Sequence, residues 1–235
     1  MNHLANFLTV LSLVFGFYSI IFSLEMHFTF AAWAIIISVI CDGLDGQIAR
    51  LNPLPSEFGK ELDSLVDVVA FGIAPSILGY IFLYRNFQLW ATLALFIYLF
   101  SSVMRLAKYN ITPKERLVNY FIGLPTTASG GVLASFILIY RKKEQVLPSF
   151  VPVIFLFLVL ILAYLMISRV RYFNLDGLKE FFGDKIKLLI LALAGGFIVL
   201  AFLRKSGCFI FTLFLIYLLF SPFMVKKLEG HRNNE

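Results

Sequence analysis

Charge is what this 235-residue sequence has least of: 14% of its residues are Asp, Glu, Lys or Arg, where a soluble domain carries about a quarter. That shortage excludes an ordinary water-soluble fold. Cysteine is nearly missing, and Cys41 and Cys208 stand far apart in apolar surroundings. Neither a disulfide framework nor a zinc site has the ligand spacing it needs. Histidine is as scarce, with His3, His27 and His231 near predicted span ends or in the C-terminal tail, which argues against a histidine-based catalytic dyad. Internal repeats and low-complexity stretches are absent. The first apolar segment has no basic leader or small-residue cleavage site, so a cleaved signal peptide is not expected.

What the sequence has in quantity is apolar residues, 60% of the chain at a mean hydropathy of +0.88. They come in blocks, and a bilayer-spanning helix needs roughly 20 of them. An all-α integral membrane protein of about eight transmembrane helices is expected. Its spans run near 4–24, 28–50, 60–84, 87–109, 120–140, 148–170, 187–203 and 207–225. The polar stretch between Arg171 and Lys187 alternates aromatic and charged residues and reads as an interfacial helix or a solvated loop. With eight spans, the side shared by the N-terminus, the even-numbered connections and the C-terminus holds fourteen of the twenty Lys and Arg. Basic residues mark the cytoplasmic side, so both termini are expected there, in the cell membrane. The net charge of +6 reflects this bias and attraction to anionic membrane lipids. No motif supports nucleic-acid binding.

The few acidic residues are concentrated. Of fourteen, six fall between 42 and 67: Asp42, Asp45, Glu57, Glu61, Asp63 and Asp67. Asp42 and Asp45 are three apart near the end of the second span, and Asp63 and Asp67 are four apart near the start of the third. Each pair therefore lies on one helix face. A short connection with Pro53 and Pro55 turns one helix back on the other, so the edges can meet. Carboxylates at membrane depth cost a few kcal/mol each, and they repel at close range. Two divalent cations would offset both costs, and all-oxygen ligands favour Mg2+ or Mn2+. Pairing with a lysine or a proton relay in a transporter are the alternatives, though a relay rarely uses four facing acids. Glu57 and Glu61 sit on the water side and are left out of the site.

Neighbouring residues fit phosphate chemistry. Gly46 and Gly59 remove side chains beside the acidic face, either for a ligand or facing backbone to approach or for small-residue helix packing. Arg50, one turn after Gly46, can hold a diphosphate oxygen or serve as an interfacial anchor.

Residues 42–67 read DGLDGQIARLNPLPSEFGKELDSLVD. This resembles the signature of the CDP-alcohol phosphatidyltransferase family, D-x2-D-G-x2-A-R-x8-G-x3-D-x3-D. Asp42, Asp45, Gly46, Ala49, Arg50, Gly59, Asp63 and Asp67 fill every fixed position. The resemblance implies a catalytic six-helix membrane core over 1–170, an interfacial or cytoplasmic segment over 171–186, and two further helices with a short polar tail over 187–235. It implies that Asp42, Asp45, Asp63 and Asp67 hold two ions and that Asp67 is also the general base. A CDP-lipid would be bound by Asn6, Thr9, Asp45, Gly46, Ala49, Arg50 and Gly59, and CMP would be released. Relatives in the family are homodimers.

The start NFLTVLSLVFGF from Asn6, FGKELDSLVDVVAFGIAP (58–75), RLAKYN (105–110), FIGLPTTASGG (121–131) and LMISRVRYF (165–173) resemble the serine-transferring branch. Serine is then the expected acceptor, with Arg105 and Asn110 on its carboxylate and amino group, or else anchoring the span end. Ala5 where the branch often has proline, and Lys108–Tyr109 for its Arg-Phe, are departures. The alternative is the same transfer to another alcohol, such as glycerol 3-phosphate or inositol phosphate. The last two spans carry nothing catalytic and are expected to be structural or dimer-related.

Overall fold

The computed structural model describes residues 2–50, 57–83, 88–112, 120–140, 148, 150–173 and 206–232. The predicted span 187–203, most of the 171–186 segment, and the connection with Pro53 and Pro55 lie outside these residues. Among the described residues, six helices are long and apolar enough to cross a membrane. In lipid no water is available to the backbone, so long apolar runs close their hydrogen bonds within helices. These helices are α1 (Asn2–Leu24), α2 (Phe28–Arg50), a rod running from Glu57 to Leu83, α5 (Gln88–Ile111), α7 (Phe150–Ile167) and α8 (Ser206–Arg232). The all-α membrane class stands, with one small exception: a two-stranded sheet of β1 (Tyr120–Ile122) and β2 (Arg171–Phe173).

α1 and α2 form a tight antiparallel pair. The Met26 N–H donates to the Ser23 carbonyl at 2.9 Å and the His27 N–H to the Phe22 carbonyl at 2.7 Å. With Met26 at φ 60° this is the left-handed helix stop that glycine usually fills. Deeper in the pair, Ser12 and Ser38 share a buried hydroxyl bond at 2.7 Å.

The third rod is not uniform. α3 (Glu57–Asp67) gives way to a π-helical segment, Val68–Ile73, before α4 (Ala74–Leu83). Pro75 has no N–H to offer the Phe71 carbonyl one turn behind it, and the Tyr98 hydroxyl of α5 donates to that carbonyl at 3.0 Å. α1 comes close enough here that a Cβ on Gly16 would lie 2.9 Å from the Cα of Ala70.

The fifth predicted span, 120–140, needs correction. Its helix, α6 (Thr126–Ile139), starts six residues late, because Gly123 takes φ +79° and Pro125 caps the helix with an extended ψ of 139°. A Cβ at Gly123 would collide with the Met166 carbonyl oxygen. Residues 120–122 pair instead with β2, matching Tyr120 to Phe173, Phe121 to Tyr172 and Ile122 to Arg171. Backbone that is not helical at this depth must be satisfied by protein, and the Gly123 and Leu124 N–H groups donate to the Val170 and Leu165 carbonyls at 2.7 and 3.0 Å. Arg171–Phe173, the start of the predicted interfacial segment, is thus strand. α6 itself is the central helix, buried from Ala128 through Leu138, and apolar all round as a fully enclosed helix must be.

Candidate carboxylate site

α2 ends and α3 begins at the same face of the bundle, and their acidic edges meet. Asp42, Asp63 and Asp67 each present a carboxylate oxygen within 4.8 Å of the others. Asp45 stands just outside this trio. It is 4% exposed and faces the Asp63 carboxylate as well as Thr9 of α1, whose hydroxyl donates to the Ala5 carbonyl at 3.1 Å. The π segment begins immediately after Asp67. Insertions of this kind recur at functional sites because they re-aim a side chain within a continuous helix.

Arg105 of α5 is the cation these acids face, acting on Asp42, Asp63 and Asp67. It is 7% exposed. Its guanidinium carbon lies 5.2 Å from the Tyr109 ring centre and 5.7 Å from that of Phe121. Nη1 donates to Thr126 Oγ1 at 3.5 Å, and Thr126 Oγ1 donates in turn to Asp67 Oδ2 at 3.5 Å. Among the described residues one cation faces a group of four carboxylates, of which Asp45 and Asp67 are buried and Asp42 and Asp63 half-buried, and it does not balance them. Asp45 Oδ2 and Asp67 Oδ1 are buried with no hydrogen-bond partner among the described residues, although buried carboxylate oxygens are normally hydrogen-bonded. A crowded set of hard oxygen donors with orphaned lone pairs fits divalent cations, and the trio contains no His or Cys.

The other predicted residues sort into different places. Outside its own helix turn, no described atom comes within 4 Å of a Cβ built on Gly46 or on Gly43, so among the described residues nothing packs on that stretch of α2 backbone. Ala49 is exposed, Asn6 and Gly59 are half-buried, and Arg50 closes α2 with its side chain outside the described set. Asn110 is occupied: its Nδ2 donates to Ser64 Oγ at 2.8 Å, and Lys60 Nζ donates to its main-chain carbonyl at 3.1 Å. It ties α5 to α3. Arg105 instead lines a cavity of about 280 Å³ with Lys108, Tyr109, Ile122, Ser168 and Arg169 among its walls. Thr126, Phe121 and Arg169 are site neighbours that sequence reasoning did not single out. The one available signal was a polar Thr-Thr pair directly after Gly-Leu-Pro, where a helix start places it.

Fold and site together define a membrane-embedded carboxylate centre compatible with divalent cations. The family profile described as CDP-alcohol phosphatidyltransferase matches residues 2–155. A CDP-diacylglycerol–serine O-phosphatidyltransferase of Helicobacter pylori is 35% identical over 214 residues, 90% of this chain and 87% of that protein. The protein of the same name from Methanocaldococcus jannaschii is 34% identical over 170 residues, 72% of this chain and 73% of its own length. The chain belongs to the CDP-alcohol phosphatidyltransferase family.

Proposed function

We propose that this protein transfers the phosphatidyl group, or its ether-lipid equivalent, from a CDP-linked lipid to the hydroxyl of L-serine and releases CMP, a step of phospholipid synthesis. The observation that carries the chemistry is the convergence of Asp42, Asp63 and Asp67 within 4.8 Å, one threonine away from the Arg105 that lines the cavity. Serine is taken from the names of relatives, which agree between a bacterium and an archaeon.

In this reading Asp42, Asp45, Asp63 and Asp67 hold two Mg2+ or Mn2+ ions. Once bound, such ions neutralise the diphosphate and the charge developing on the CMP leaving group. The open α2 backbone at Gly46 admits the nucleotide, with Gly59, Asn6, Thr9, Ala49 and Arg50 around it. The serine oxygen bonds to the lipid-side phosphorus as the bond to CMP breaks. Asp67 takes the hydroxyl proton as general base; its Oδ1 has no partner among the described residues and its Oδ2 is steadied by Thr126. Arg105, lying against the Tyr109 and Phe121 rings, receives the serine carboxylate. Asn110, bonded to Ser64, holds α5 against α3.

The wider arrangement follows the sequence reading: a six-helix core over 1–170, further helices beyond 187, termini and site on the cytoplasmic side, and a homodimer. A second acceptor reading has one observation in its favour, because Lys108 and Arg169 add two cations to the cavity. That would suit glycerol 3-phosphate or inositol phosphate. CMP release from CDP-diacylglycerol, measured with purified protein against a panel of acceptors, decides between them. Release with serine alone is the expected result; comparable release with glycerol 3-phosphate replaces serine as the acceptor.

A further inference from the structure

α8 contributes no residue to the carboxylate site, yet it grips the hairpin that walls the cavity. The Phe173 N–H donates to Ser221 Oγ at 2.6 Å, and the Tyr217 hydroxyl donates to the Phe173 carbonyl at 2.9 Å. Both main-chain groups of one strand residue are thus held by side chains one turn apart on α8. A two-stranded ribbon is marginal by itself, so such a clasp decides where the ribbon sits. Phe173 is the register partner of Tyr120, and the same ladder carries Phe121 and Ile122. Phe121 lies against the Arg105 guanidinium, Ile122 lines the cavity, and Ser168 and Arg169 line it just before β2 begins. Tyr217 also faces Arg105 and packs its ring on Tyr172 at 5.9 Å.

We infer that α8 is a positioning element of the acceptor cavity: by clasping Phe173, Tyr217 and Ser221 fix the β1–β2 hairpin and with it the stance of Arg105 and Arg169. The inference rests on reading that cavity as the acceptor site. Acceptor affinity then depends on a helix outside the carboxylate centre, while donor binding does not.

The test is steady-state CMP release by the full-length Tyr217→Phe/Ser221→Ala protein in detergent, with serine and CDP-diacylglycerol varied separately. The serine KM should rise about fivefold while kcat and the donor KM stay within about twofold. Hydrogen exchange at the Phe121, Ile122 and Phe173 amides should quicken in parallel. Tyr217→Phe alone, which removes one hydroxyl, should give the same pattern in smaller measure should the double variant express poorly. A lower thermal midpoint with both KM values unchanged overturns the inference, and so does an equal loss in both. Arg169→Ala separates the two readings. If it raises the serine KM and the clasp variants do not, the clasp is wrong and the cavity reading survives. If it leaves the serine KM untouched, the cavity is not the acceptor site and the clasp proposal falls with it.

Discussion

Thr126 accepts a hydrogen bond from Arg105 and donates one to Asp67, each at 3.5 Å, from a position with no solvent exposure. Removing its hydroxyl leaves each buried charge short of a partner, a loss of about 1–3 kcal/mol per group. Thr126→Val is therefore expected to lower kcat about tenfold, which corresponds to ~1.4 kcal/mol. Thr126→Ser, keeping the hydroxyl, should stay within about threefold of the parent in the same CMP-release assay. Asp67→Asn should end turnover while CDP-lipid binding, followed by equilibrium titration, persists; turnover at the parental rate would remove Asp67 as the base. The convergence of Asp42, Asp63 and Asp67 was legible in the sequence because helical spacing puts each pair on one face and a short connection turns the two helices back on each other. Thr126 was not, since its place depends on where α6 starts and on meeting an aspartate 59 residues earlier in the chain.

At the scale of elements, the π segment after Asp67 is held by neighbours. A Cβ on Gly16 would stand 2.9 Å from both Cα and Cβ of Ala70, and overpacking of this kind costs about 1–3 kcal/mol. Gly16→Val should lower the thermal midpoint in detergent and reduce turnover as well, because the displaced segment carries Asp67 at its start. Retention of full activity at a lowered midpoint would separate the segment from the site. Apolar runs announced the long helices. The π turn gave no such sign: residues 63–76 read as uninterrupted helix, and the widened turn goes with Pro75 and a hydroxyl from Tyr98 on another helix. Residues 120–125 misled for the opposite reason. They are apolar enough for a span, and the turn chemistry of Gly123 and Pro125 outweighs that hydropathy.

For the molecule as a whole, three carboxylates facing one arginine, with Asp45 beside them, make the fold depend on what neutralises them. Chelation with EDTA is expected to abolish CMP release and also to lower the thermal midpoint, since a ligand that binds only the folded state stabilises it by mass action. Adding back Mn2+ or Mg2+ should restore both quantities, and matching the ionic strength with NaCl should restore neither. Unchanged activity after exhaustive chelation would count against metal at this site. Composition sufficed to place the chain in a membrane, because 14% charge leaves no other solvent. The packing of α8 on β2 and α6 was beyond reach, as a lipid-facing helix and a docked one look alike in hydropathy.

α6 has 14 residues, about 21 Å at 1.5 Å per residue, against a hydrocarbon layer of about 30 Å. It carries Ser, Thr and Gly that partition poorly into lipid, and every side from Ala128 to Leu138 is enclosed by protein. During biosynthesis such a segment has little reason to leave the translocation machinery alone; it enters in the company of helices that already shield it. Part of that shield is Phe214 of α8, whose ring tip comes against the bare Gly131 backbone and which the ribosome supplies about 80 residues later. Full enclosure of α6 at Gly131 is therefore expected only once α8 has been synthesised.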